Sequence, residues 1–171
     1  MRFIVDSMLG DIARWLRMLG YDTLYSRNYE DWKILQLAEK DDRIIVTRDH
    51  GLFVRARKKG LRAVLLDPGD VKEALTEIAY RTGIELRFDP NKTLCPHCNV
   101  RLVRITRAEA LSFLPAEVVS AYDRFWKCPK CGRIYWQGSH WRTINEILAQ
   151  ANELLERRRR VRRGVRKAGR S

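Results

Sequence analysis

The chain has 171 residues, 45% of them apolar, and a net charge of +13. That gives room for one ordinary domain and a small module, with enough apolar surface for a packed core, which excludes wholesale disorder. No apolar run approaches the roughly 18 residues of a membrane span, and Met1-Arg2-Phe3-Ile4-Val5-Asp6 meets an acid too early for a signal peptide, so the expected location is the cytoplasm.

The first ninety residues alternate between two periods. Arg2–Val5 is an apolar strand, followed by Leu9, Ile12, Leu16 and Leu19 at helical spacing and Gly20 as a stop. Arg14 and Arg17 lie off that stripe, facing solvent or phosphate. Thr23–Tyr25 reads as a second strand, and Glu30 to Lys40 as a helix. Ile44-Ile45-Val46-Thr47 is a third strand, β-branched and so buried on both faces. Asp49 caps a helix that stops at Gly60, and Ala63–Leu66 is a fourth strand. Asp70 opens the next helix, ended by Gly83, and Glu85–Phe88 is a fifth strand. Strict alternation implies parallel strands joined by right-handed crossovers, hence a small three-layer α/β sandwich. Such sheets bind ligands beyond the carboxyl ends of their strands.

After Asp89-Pro90-Asn91 the composition changes. Cys95-Pro96-His97-Cys98 and Cys128-Pro129-Lys130-Cys131 are matching knuckles separated by 29 residues. Two thiolates per tight turn, from two turns, complete the tetrahedron that Zn²⁺ prefers, at about 2.3 Å per sulfur. One closed, structural zinc ion in a ribbon is the reading; a redox C-x-x-C pair is the competing one. Arg101, Arg104, Arg107 and Arg124 in or beside the ribbon serve RNA or coat a small domain. Of Trp126, Tyr135, Trp136 and Trp141, at least two are expected to pack against the zinc module rather than stack on bases. His140, after the ribbon, is a candidate proton donor or RNA contact, or simply a capping residue.

From His140 the residues Ile144, Ile147, Leu148, Ala151, Leu154 and Leu155 argue an amphipathic helix that runs into the arginine tail and frays near Gly164. Residues 157–171 hold eight Arg, one Lys and no acid, leaving +4 for the rest of the chain. The asymmetry points to a polyanion, most simply nucleic acid, against the plainer reading of a solvated extension. Three regions result: residues 1–90, an α/β domain; 91–140, the ribbon; and 141–171, the helix with its basic tail.

Asp6, Asp49 and Asp67 follow strands one, three and four, and Asp31 lies in the first turn of the second helix. Each has a structural explanation as a cap or turn residue. Together they form an acidic notch of the kind that holds hard Mg²⁺ or Mn²⁺ ions, which activate water and stabilise the charge of a breaking phosphodiester. Arg48, beside Asp49, is a phosphate candidate.

Val5-Asp6-Ser7-Met8-Leu9-Gly10, Ala13-Arg14-Trp15-Leu16-Arg17, Leu19-Gly20-Tyr21-Asp22-Thr23 and Val46-Thr47-Arg48-Asp49 resemble the Mut-seven C-terminal RNase domain family. So do the second knuckle through Trp136 and Gly138-Ser139-His140. The resemblance covers about residues 1–145 and implies a PIN-like fold with metal-dependent RNA cleavage. By motif, Asp6 and Asp49 become catalytic ligands of one or two Mg²⁺ or Mn²⁺ ions, joined by Asp31. Asp67 or Asp22 is the candidate for a fourth acid. The expected partner is RNA, including ribosomal RNA or the ribosome. A non-catalytic RNA- or ribosome-binding factor on the same fold is the alternative, and a toxin nuclease with a partner inhibitor a third.

Overall fold

The computed structural model describes residues 1–170. Four parallel strands, β1 (Arg2–Val5), β2 (Asp22–Leu24), β3 (Ile44–Thr47) and β4 (Ala63–Leu65), lie in the order β2-β1-β3-β4. Between them run α1 (Gly10–Met18), α2 (Asp31–Asp41) and α3 (His50–Lys58), and α4 (Val71–Thr82) follows β4. Alternate residues of each strand face opposite layers. Phe3, Val5, Ile44, Val46 and Val64 pack with α1 and α4, while Ile4 and Ile45 pack with Ile34 and Ala38 of α2 and Leu52 and Ala56 of α3. All four residues of β3 are buried, as its β-branched composition requires. The three-layer α/β expectation holds.

The fifth strand does not form. Gly83 turns the chain at φ 77°, and Ile84 and Leu86 enter the core without pairing to β4. Their segment satisfies its backbone through side chains. The Tyr21 hydroxyl donates to the Glu85 carbonyl (3.2 Å) and accepts from its N–H (3.1 Å), and the Asn152 amide donates to the Leu86 carbonyl (2.9 Å). With those groups satisfied, no ladder is needed.

The second sheet is antiparallel, with β5 (Val103–Ile105), β6 (Phe125–Lys127) and β7 (Ile134–Trp136) in sequence order. Two short helices, α5 (Arg107–Leu111) and α6 (Ala116–Ala121), fill the long insert and share a small core of Ala110, Val119 and Phe125. The last helix, α7 (His140–Ala168), is continuous through Gly164, where fraying was expected. Leu148, Ala151 and Leu155 on its inner face belong to the same core as α1 and α4. The C-terminal helix thus packs as part of the α/β layer structure rather than as an appendage.

Candidate functional site

From β1 the chain crosses to β2 on one side, and from β3 to β4 on the other. The carboxyl ends of the adjacent strands β1 and β3 therefore border the crevice where open α/β sheets bind ligands. Asp6 follows β1 and Asp49 follows β3. The Thr47 hydroxyl joins them: it donates to Asp6 Oδ2 (2.7 Å) and accepts from the Asp49 N–H (2.9 Å). Asp49 caps α3 through Oδ1, which accepts from the Leu52 N–H (2.9 Å). Asp6 Oδ1 accepts a longer bond from Ser7 Oγ (3.3 Å). A carboxylate offers about four lone-pair sites, so both acids keep unused acceptor capacity toward solvent. Tyr25 fixes the loop after β1 by donating to the Ser7 carbonyl (3.1 Å), and it lies so close to α1 that a Cβ on Gly10 would sit 2.7 Å from its hydroxyl.

The other sequence candidates behave differently. Asp31, in the first turn of α2, forms an ion pair with Arg55 of α3, and Arg55 Nε also donates to the Gly51 carbonyl. Asp67 is exposed beyond β4. Arg48 donates to the Gly69 carbonyl (3.0 Å), tying two turns together.

Asp22 does not complete the acidic set. It pairs in register with Arg2, at the amino edge of the sheet, roughly 13 Å along the strand direction from Asp6. There Arg43 Nη1 (2.8 Å) and the Asn99 amide (2.8 Å) both donate to its Oδ1. Burial works against the charged form, but these two bonds prevail and hold its pKa below the ordinary aspartate value. His140 likewise lies away from the notch. It lines an apolar cavity with Met18, at the far end of α1, and Trp141.

Arg17 is neither solvated nor free for phosphate. It is buried and donates to the carbonyls of Thr23 (2.9 Å) and Pro96 (2.8 Å), and its burial lowers its pKa. Trp126 and Trp141 stack on each other and Trp141 meets Phe88 edge-on, so both are packing residues. Arg104 and Arg124 lie over the Trp126 ring, and Arg107 pairs with Asp123.

Cys95, Cys98, Cys128 and Cys131 bring their sulfurs within 4.8 Å of one another. The knuckles are built alike. Asn99 and Gly132 each donate an N–H to the carbonyl of the first cysteine (2.9 Å), and both hold positive φ, 60° and 76°. Cys95 Sγ and Cys131 Sγ are 3.8 Å apart. That is about the edge of a tetrahedron with 2.3 Å bonds to zinc and far beyond a disulfide. Burial pushes the Cys95 thiol up, yet hydrogen bonds from Tyr135 and the His97 and Cys98 backbone bring it down to about 7. Burial and the neighbouring thiols push Cys98 up to about 12. Four thiolates coexist there only around a cation. The donor set is positioned to hold a metal ion and fits zinc.

Among the described residues, the four cysteines are the only group of three or more metal-capable side chains so closely gathered. Asp6, Asp31 and Asp49 share one edge but do not converge to that degree. Sequence reasoning missed Thr47, Arg55, Arg43 and Asn99. A threonine before Arg48-Asp49 carries no signal by itself, and the other three act through partners more than twenty residues away.

Among the described residues, no helix is long and apolar enough to cross a membrane. No curated protein and no solved structure matches the chain. The Mut7-C RNAse domain pattern matches residues 1–148. Most of the chain is thereby accounted for, and the protein belongs to the Mut7-C RNAse domain family.

Proposed function

We propose that the protein is a metal-dependent ribonuclease that hydrolyses phosphodiester bonds of single-stranded RNA. The observation that carries the reading is the Asp6–Thr47–Asp49 bridge at the crevice between β1 and β3. Mg²⁺ or Mn²⁺ bound there would activate water and stabilise charge on the scissile phosphate. Asp6 and Asp49 would hold it, with Asp31 joining once Arg55 lets go. Released from Asp31, the Arg55 guanidinium is a donor for a phosphate oxygen. Thr47 keeps the two ligand-bearing turns in register and orients the Asp6 carboxylate. In-line attack by water would leave a 3′-hydroxyl and a 5′-phosphate. The four cysteines would carry one structural zinc, closed to chemistry because every position is filled by protein.

A second reading, a non-catalytic RNA- or ribosome-binding factor, draws on the Asp31–Arg55 pair, which neutralises one of the three acids. Cleavage of a labelled single-stranded RNA with added Mn²⁺ separates the two. The nuclease reading expects wild-type cleavage to fall at least about 100-fold in Asp6→Asn and in Asp49→Asn, since each removes a ligand charge. Asn keeps the helix cap at position 49, so stability changes little. RNA binding without cleavage by the wild type, unaffected by either substitution, would select the binding factor.

A further inference from the structure

About five turns of α7 lie beyond residue 148, where the family match ends. No acid follows Glu156. Arg157, Arg158 and Arg159 have carboxylate partners in Glu153, Glu77 and Glu156, and Arg162 lies over the Tyr80 ring. Arg160, Arg163, Arg166, Lys167 and Arg170 have none among the described residues, and all five are exposed.

Arg160, Arg163 and Lys167 recur at spacings of three and four, so they share one helix face, and Arg170 follows in the turn after α7. With Arg166 they line a shallow concavity of about 470 Å³ around Gly164. A glycine inside a helix costs about 1 kcal/mol relative to alanine. Here it leaves a gap in the side-chain row, with nothing within 4 Å of where its Cβ would stand.

The helix that carries the row is anchored up to Arg162. Leu148, Ala151 and Leu155 bury α7 in the domain core, and Arg158 reaches across to Glu77 of α4. Binding therefore need not order this helix from coil. Its position is also defined. The last turn of α4, with Arg81 and Thr82, borders a groove with Ile44 and Arg62 at the starts of β3 and β4, and Tyr80 of that turn meets Arg158 and Arg162. The row thus begins beside the C-terminal half of α4, while Asp6 and Asp49 lie at the carboxyl edge of the sheet, where α4 starts. From Val71 to Tyr80, α4 rises about 14 Å away from that edge.

We propose that the Arg160–Arg163–Lys167–Arg170 row is a docking site for the phosphate backbone of RNA, anchoring the substrate away from the acidic notch. The proposal rests on RNA being the ligand of the notch. It implies that an RNA must span the domain to use both sites, so the anchor acts on long strands and is silent for a trinucleotide.

The test is binding rather than cleavage, made with the full chain carrying Asp6→Asn and Asp49→Asn so that RNA stays intact. Affinity for a long single strand is measured against salt, with and without R160Q/R163Q/K167Q/R170Q. Glutamine keeps helix propensity, and circular dichroism checks the fold. Each single-strand phosphate contact contributes about 0.7 to the log–log salt slope, so losing four should flatten it by about 3. Trinucleotide affinity should not change. Lysine at positions 160, 163 and 170 should restore the steep slope, because phosphate is read there as charge.

An unchanged slope in the glutamine variant would overturn the proposal, as would an equal loss of trinucleotide affinity. Tighter binding of the row to anionic lipid vesicles than to RNA would overturn it too. If the wild type cleaves nothing but the slope shift appears, the anchor stands and the nuclease reading falls.

Discussion

The two edges of one small sheet are finished in opposite ways. At the amino edge, Arg43 donates to Asp22 and to the Phe3 carbonyl, Arg17 donates to Thr23 and Pro96, and Asn99 bonds both Asp22 and the Thr23 N–H. Arg17 and Asn99 tie the ribbon to β2, and Arg43 ties β2 to β1. At the carboxyl edge, Asp6 and Asp49 are joined through one threonine and otherwise face solvent with acceptor capacity left over. An aspartate in a parallel α/β domain is therefore read by what it still lacks. Asp22 is engaged by Arg43 and Asn99 and is structural, while Asp6 and Asp49 have no cationic partner among the described residues and keep more acceptor capacity.

The hardest blow to the amino edge is Cys128→Ser. The ligand is fully buried, and a structural zinc site supplies about 10 kcal/mol of folding free energy in isolated modules. Zinc content should fall from one equivalent to nearly none, with the ribbon strands losing amide protection. A variant that kept its zinc and its melting curve would remove the cysteines from the account of this edge.

Arg43→Met should cost less, about 2 kcal/mol in urea denaturation. It strips the guanidinium from a part-exposed Asp22 and removes one donor from the Phe3 carbonyl. Asp22 also gives this edge a pH signature. Its folded pKa is depressed, so its stabilisation is complete above the unfolded value of about 4 and fades as pH falls through the folded value. Wild type and Asp22→Asn should differ near neutrality and converge in acid. Screening at a part-exposed site keeps the difference to about 1 kcal/mol or less. A gap that stayed constant with pH would mean Asp22 acts through packing instead of charge.

The smallest stability effect is expected at the carboxyl edge. Gly10→Ala places a Cβ 2.7 Å from the Tyr25 hydroxyl, which can swing aside at the loss of its bond to Ser7. Stability should drop by about 1 kcal/mol, while RNA cleavage falls several-fold because the loop bearing Asp6 shifts. Zinc content should be untouched. Full activity in this variant would show that the loop needs no such support.

How far the sequence carried this reading follows from the range of the interactions. β1 and β3 were legible because their apolar runs are short, β-branched and bounded, and Asp6 and Asp49 because they end those runs. The knuckles were legible because both cysteines of each pair lie within four residues. Glu85–Phe88 misled because Ile84, Leu86 and Phe88 alternate like an edge strand, and only Tyr21 and Asn152, remote in the chain, reveal how its backbone is satisfied. Arg17 looked like a surface residue because its partners, Thr23 and Pro96, belong to other elements. Asp31 matched a motif position, but its pairing with Arg55 depends on how α2 and α3 stand side by side.

The Asn99 side chain has a practical consequence. It belongs to a knuckle whose cysteines are positioned to hold a metal ion, and it accepts the Thr23 N–H of β2 (2.9 Å). Whatever populates the ribbon also tightens the outer strand of the sheet, and mass action makes that tightening depend on free metal, by about 4 kcal/mol at a thousandfold excess over the dissociation constant. Under the nuclease proposal, a chelator added to silence the assay would act on the ribbon as well as on the acidic notch. Loss of activity under chelation would then report partial unfolding as readily as an emptied active site, which makes substitution at Asp6 the cleaner control.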